Sequence, residues 1–173
     1  MFQKPIKKTI FTLAVDNFSE EITAMTFPLM EAYAQRIGAD FHVIRERRFK
    51  DWPVTYEKLQ VFRLAQEMAN DWNIFFDADT LIHPETLDWT LFLPKDTVVH
   101  NGMDMAAIRW DYDRYFWRDG RHIGSCNWCA IASDWCVDLW TPLDIPLEEA
   151  LRRIHPRVVE GTKLRFPLME DGK

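Results

Sequence analysis

Apolar and polar positions along this chain alternate between two periods. Residues 9–15 form an apolar, β-branched run closed by Asp16, which predicts a buried strand. Ser19 then stands where a helix N-cap belongs, with Glu20 and Glu21 in the first turn to suit the helix dipole. Ile22, Met25, Leu29, Tyr33 and Ile37 recur at helical spacing, and Gly38 is placed to end the helix in a left-handed conformation. Pro28 is expected to kink or split it. Residues 41–44 predict a second strand. After Trp52-Pro53, Thr55 is expected to cap a helix reaching about Ala69, with Leu59, Phe62, Ala65 and Ala69 on its apolar face. Asn70-Asp71 breaks that pattern. Asn73-Ile74-Phe75-Phe76 then reads as a strand buried on both faces, ending in Asp77-Ala78-Asp79.

Strands alternating with helices imply an α/β domain, a mixed, mainly parallel sheet flanked by helices. Residues 1–173 read as a single domain, without repeats or low-complexity tracts. The second half is less regular and rich in tryptophan. It predicts strands at 96–101 and 125–132, helices at about 133–139 and 147–154, and an aromatic, charged loop or short helix at 111–121. In such sheets ligands bind at the carboxyl ends of strands, so the ends at Val15-Asp16-Asn17 and Asp77-Ala78-Asp79 are expected to open onto one crevice.

The acidic pair carries the chemistry. In extended chain, residues two apart share a face, which puts the two Cα atoms about 6.6 Å apart at the usual rise of a strand. Two carboxylates that close need a cation, and a hard divalent ion with oxygen ligands is the natural candidate. Lys58, in the first turn of its expected helix, is disfavoured by the dipole unless a phosphate lies nearby; the plain alternative is a solvated lysine offset by Glu57. The net charge of −6 argues against nucleic acid as a partner, and the run Arg45-Glu46-Arg47-Arg48 with Lys50 reads as a solvated loop or strand edge. Cys126, Cys129 and Cys136 read as buried thiols rather than a zinc site, because an offset of three in a strand separates the first two sulfurs. The apolar run at 9–15 is too short for a transmembrane segment and lacks a cleavage site, so the expected compartment is the cytoplasm.

The stretch Tyr33-Ala34-Gln35-Arg36-Ile37-Gly38-Ala39-Asp40, followed by the Lys58 helix and the strand ending in Asp77-Ala78-Asp79, resembles nucleotide-sugar-dependent glycosyltransferases of the GT-A fold. The nearest families are the retaining galactosyl-, glucosyl- and xylosyltransferases. The resemblance covers roughly residues 9 to 140 and rests on the ordered set of pieces, since Asp-x-Asp alone recurs by chance. It implies a nucleoside-diphosphate-sugar donor, UDP favoured, and Mn²⁺ or Mg²⁺ on Asp77 and Asp79, with Asp79 the firmer ligand. It places Thr12, Ala14, Val15 and Asp16 at the base and ribose, and Lys58, Asp77 and Ala78 along the rest of the donor. Asp104 is implied to contact the donor sugar, and Asn127, within Ser125-Cys126-Asn127-Trp128-Cys129, to lie near donor sugar and acceptor. Trp128 and Cys129 depart from the small residues of the family's segment; Trp128 either stacks on a sugar or packs in the core. A third metal ligand, a histidine, is implied late in the chain, with His155 the best placed. Retention of configuration follows from the resemblance alone; an inverting enzyme would need a base such as Asp111 or Asp113. The acceptor is a carbohydrate or other hydroxyl compound. The chain is shorter than most such enzymes, a minimal or a truncated form.

Three rival readings stand beside this one. A non-catalytic sugar- or nucleotide-binding domain would share the fold. An aspartate-nucleophile phosphatase would need threonine four residues after its first aspartate, where Leu81 stands. A nucleotidyltransferase would need a glycine-rich loop near the first strand, and none is there.

Overall fold

A computed structural model describes residues 5–96, 98–102 and 126–133, with several positions between 137 and 152; of residues 98–102 and 126–131 the backbone is described. Strand β1 (Lys8–Leu13) lies at the centre of the parallel part of the sheet and sends alternate side chains into two hydrophobic layers. Ile10 packs with Met30, Tyr33, Ala34, Ile74, Phe76 and Ile82 on one face. Phe11 packs with Val15, Ile44, Val61 and Phe75 on the other. Strand β3 (Trp72–Phe76) has the same alternation, and all its residues are buried. Both strands are therefore covered on both faces, as their apolar runs predict.

Helix α1 (Glu20–Ile37) covers the first layer. Ser19 Oγ accepts from the Ile22 N–H at 3.4 Å, and Gly38 closes the helix with φ of 67°. The helix runs unbroken through Pro28, so the expected split does not occur. Ala24 and Pro28 both lie on the exposed side, where water can satisfy the carbonyl that the missing N–H frees. The buried face also differs from the predicted stripe: Thr26, Met30, Tyr33 and Ala34 are buried, whereas Met25 and Leu29 are exposed. Tyr33 donates to the Leu87 carbonyl at 2.7 Å, and burial holds its phenol well above the usual range.

After β2 (Asp40–Ile44), the second helical segment begins as a 3₁₀ helix, Val54–Leu59, and becomes α2 only at Gln60–Glu67. Thr55 is thus inside the 3₁₀ turn rather than a cap. The face turned to the sheet is Val61, Leu64, Ala65 and Met68, not Leu59, Phe62 and Ala69. Strands β4 (Val98–Gly102) and β5 (Cys126–Ala132) complete a five-stranded sheet in the order β2-β1-β3-β5-β4. The β1–β2 and β1–β3 pairs are parallel; β5 runs antiparallel to both β3 and β4. No helix among the described residues is long and apolar enough to cross a membrane.

Candidate functional site

The parallel strands deliver their carboxyl ends to one side of the sheet, and the acidic pair stands there. β3 stops at Phe76, so Asp77 and Asp79 are not on extended chain as their spacing suggests. The Thr80 N–H instead bonds the Asp77 carbonyl at 2.9 Å, closing a turn with Ala78 and Asp79 at its centre. From α1 the Thr26 hydroxyl reaches across and donates to the Ala78 carbonyl at 2.6 Å, which fixes the turn from behind. Both aspartates still line one cleft of about 210 Å³, with Leu13, Val15, Phe18, Val54, Thr55, Lys58 and Ala78.

Asp77 lies on the same side as Phe75, toward the 3₁₀ helix that carries Lys58. The Lys58 ammonium lies 2.6 Å from Asp77 Oδ1, with the two side chains 25% and 26% exposed. It also stands 5.4 Å from the Phe75 ring centroid. Burial raises the Asp77 pKa; the hydrogen bond and charge of Lys58 pull it down, and the charge of Asp79 pushes it up again. The net direction is upward, so Asp77 gives up its proton less readily here than in water, even beside Lys58. Further positive charge would relieve that imbalance.

Asp79 is exposed and has no partner among the described residues. Two carboxylates on one turn fit Mg²⁺ or Mn²⁺, hard ions commonly held by one or two carboxylates together with water and substrate phosphates. Among the described residues no group of three His, Cys, Asp or Glu side chains gathers to form a closed metal cage. His155 lies outside the described residues, as do Asp104, Asp111 and Asp113.

The residues expected along the donor divide. Val15 and Ala78 line the cleft. Thr12 does not: it is fully buried, and its hydroxyl has no partner among the described residues. Ala14 and Asp16 belong to a neighbouring concavity of about 700 Å³ with Asn17, Glu20, Thr23 and Arg45, and Phe18 borders both spaces. Asp16 and Asn17 have φ of 52° and 58° in a turn closed by the Phe18 N–H on the Val15 carbonyl at 3.1 Å. Aspartate and asparagine are the side chains that tolerate such backbone most readily after glycine. Asn127 belongs to β5, one residue before Trp128, the register partner of Phe76. Against β4, Trp128 pairs with Asn101 and Cys126 with Gly102, so Asn127 is the extra residue of a bulge at the same end of the sheet as Asp77.

The residues overlooked in the sequence are Arg47 and Glu57. Glu57 is fully buried and accepts from the Arg48 and Phe49 N–H groups at 3.0 and 2.9 Å, from Gln60 Nε2 at 2.7 Å and from Arg47 Nε at 3.3 Å. It therefore anchors the loop after β2 and does not offset Lys58. Arg47, read as solvated, is half-buried; it also reaches Asp16 at 3.2 Å and donates to the Trp52 carbonyl. No local pattern announces the pair: Glu57 stands between Tyr56 and Lys58, ten positions after Arg47.

Three parallel strands with helices on both faces, an antiparallel extension and an acidic turn at the carboxyl end of β3 define a Rossmann-like α/β fold. No protein-family model and no curated protein sequence matches the chain. Among solved structures it is similar to a glycosyltransferase involved in the glycosylation of the major capsid of PBCV-1, at 13% identity and a TM-score of 0.55, over 88% of this chain and 68% of that one. At that identity the likeness is one of fold.

Proposed function

We propose that the chain is a glycosyltransferase that takes a nucleoside-diphosphate sugar, with UDP the favoured carrier, and transfers the sugar to a hydroxyl acceptor. The observation that carries this reading is the cluster of Lys58, Asp77 and Asp79 in one cleft at the strand ends, on a glycosyltransferase-like fold. A lysine and a carboxylate pair together suit a diphosphate and the divalent ion that accompanies it. Asp79 and Asp77 would hold Mn²⁺ or Mg²⁺, which when bound stabilises negative charge growing on the departing nucleoside diphosphate. Lys58 adds its charge to the same phosphates. The cleft is small for a whole donor. The adjoining concavity gives the nucleoside room beside Ala14 and Asp16, whose carboxylate suits a ribose hydroxyl.

The test is thermal stability with UDP, GDP and their sugars, each with and without Mn²⁺, for the wild type and Asp79→Ala. A ligand at 100 times its Kd adds about 2.7 kcal/mol to the folded state. A metal-dependent shift with one nucleotide, lost in the variant, is expected. No shift with any of them would refute the reading. Release of free sugar or transferred product then separates an enzyme from a non-catalytic donor-binding domain.

A further inference from the structure

The Lys58–Asp77 contact bears on how the site fills, given the reading of it as a diphosphate and metal site. Lys58 Nζ is already on Asp77 Oδ1, one of the two carboxylate oxygens a divalent cation could take. Its backbone is held in place, because the preceding residue, Glu57, is locked to the loop after β2 through the Arg48 and Phe49 N–H groups. Its side chain is a flexible four-carbon stem ending in a compact charge, so the ammonium can move while the helix stays. Two cations on one half-buried carboxylate repel strongly. Lys58 must therefore leave Asp77 when a divalent cation takes that oxygen. A diphosphate entering with that cation would offer it a new anionic partner.

We infer that Lys58 is an exchanging positioning residue: it guards Asp77 against bare metal ions and is handed to the phosphates when metal and nucleotide enter together. Metal alone binds weakly, nucleotide alone binds weakly, and each strengthens the other. Asp79, without a partner among the described residues, is the carboxylate that first meets the incoming ion.

The test titrates Mn²⁺ alone by the electron paramagnetic resonance signal of the free ion, for wild type, Lys58→Met and Lys58→Arg. UDP binding is measured by calorimetry with and without Mn²⁺. Lys58→Met should bind Mn²⁺ alone about tenfold more tightly than wild type, within the usual 5–150-fold span of coupling between sites. Its affinity for UDP in the presence of Mn²⁺ should fall, so the mutual strengthening shrinks. Lys58→Arg keeps the cation and should bind Mn²⁺ alone no more tightly than wild type. Lys58 is partly exposed, so the variants should fold, and their melting curves check this. Unchanged or weaker Mn²⁺ binding by Lys58→Met, with wild type still binding Mn²⁺ and UDP, would overturn the exchange and leave the proposed function standing. Failure of every form to bind either ligand would overturn both.

Discussion

Glu57→Gln is the substitution whose consequence the structure specifies most closely. Glu57 Oε1 accepts from Arg47 Nε and the Phe49 N–H; Oε2 accepts from the Arg48 N–H and Gln60 Nε2. An amide keeps one oxygen and puts an NH₂ where the other stood, so a backbone N–H and a side-chain donor then face a donor. Gln60 could turn its own oxygen inward only by giving up the Glu46 carbonyl, now 2.8 Å from its Nε2. At about 1.5 kcal/mol for each charge-assisted hydrogen bond lost, the cost is about 3 kcal/mol. For a domain of this size each kcal/mol moves Tm by about 2–4 °C, so Tm should fall by about 6–12 °C. Differential scanning calorimetry reads the fall, and limited proteolysis at residues 45–52 should show that the loop loosens with it. Glu57→Ala should cost more, about 3–5 kcal/mol, because Arg47 loses its buried partner. A shift under about 2 °C for Glu57→Gln, with the loop still protected, would refute the anchoring role.

Three further outcomes are expected. Met30→Ala should cost about 2–5 kcal/mol in urea unfolding, whereas Met25→Ala and Leu29→Ala should stay within about 0.5 kcal/mol; equal costs would reverse the face assigned to α1. Thr26→Val should lower stability by about 1 kcal/mol and weaken nucleotide binding measured by calorimetry, since it frees the Ala78 carbonyl behind the acidic turn. Burial lowers the His42 pKa below its ordinary 6.5. The neutral ring is thus favoured in the folded state, and the stability it contributes is full above pH 6.5 and is lost as pH falls through 6.5 toward the folded value. The urea midpoint should drop over that window, and more steeply in wild type than in His42→Gln.

The elements that local chemistry decides were legible in the sequence. Ser19 and Gly38 mark the ends of α1, and the apolar runs of β1 and β3 end where strands surrounded on both faces should end. What escaped was set by distant partners. The buried face of α1 turns on Thr26, a polar residue drawn inward by a carbonyl 52 positions away, so hydrophobic spacing alone favoured Met25 and Leu29. The acidic pair is plain in the sequence, but its geometry is not, because the Thr80 N–H folds the strand end into a turn. The position of Lys58 suggests a phosphate, yet its contact with Asp77 depends on the 3₁₀ start of its helix, which no local pattern announces. Arg47 and Glu57 looked like surface charge for the same reason: their pairing appears only once the loop has folded over.

The central place of β1 has a consequence for how the protein is made. Thr9 lies opposite Asp40 on one side and Asn73 on the other, so β1 is synthesised before both its neighbours and its second flank stays open until β3 emerges. At about 5–20 residues per second, that leaves Ile10 and Phe11 waiting several seconds for the partners that bury them. Long-range parallel pairing is intrinsically slow, and the Asp77 turn follows β3 directly. Closing the open flank of β1 and forming the acidic turn are then one event in folding, and a slowed β3 would be felt in biogenesis before it was felt in turnover.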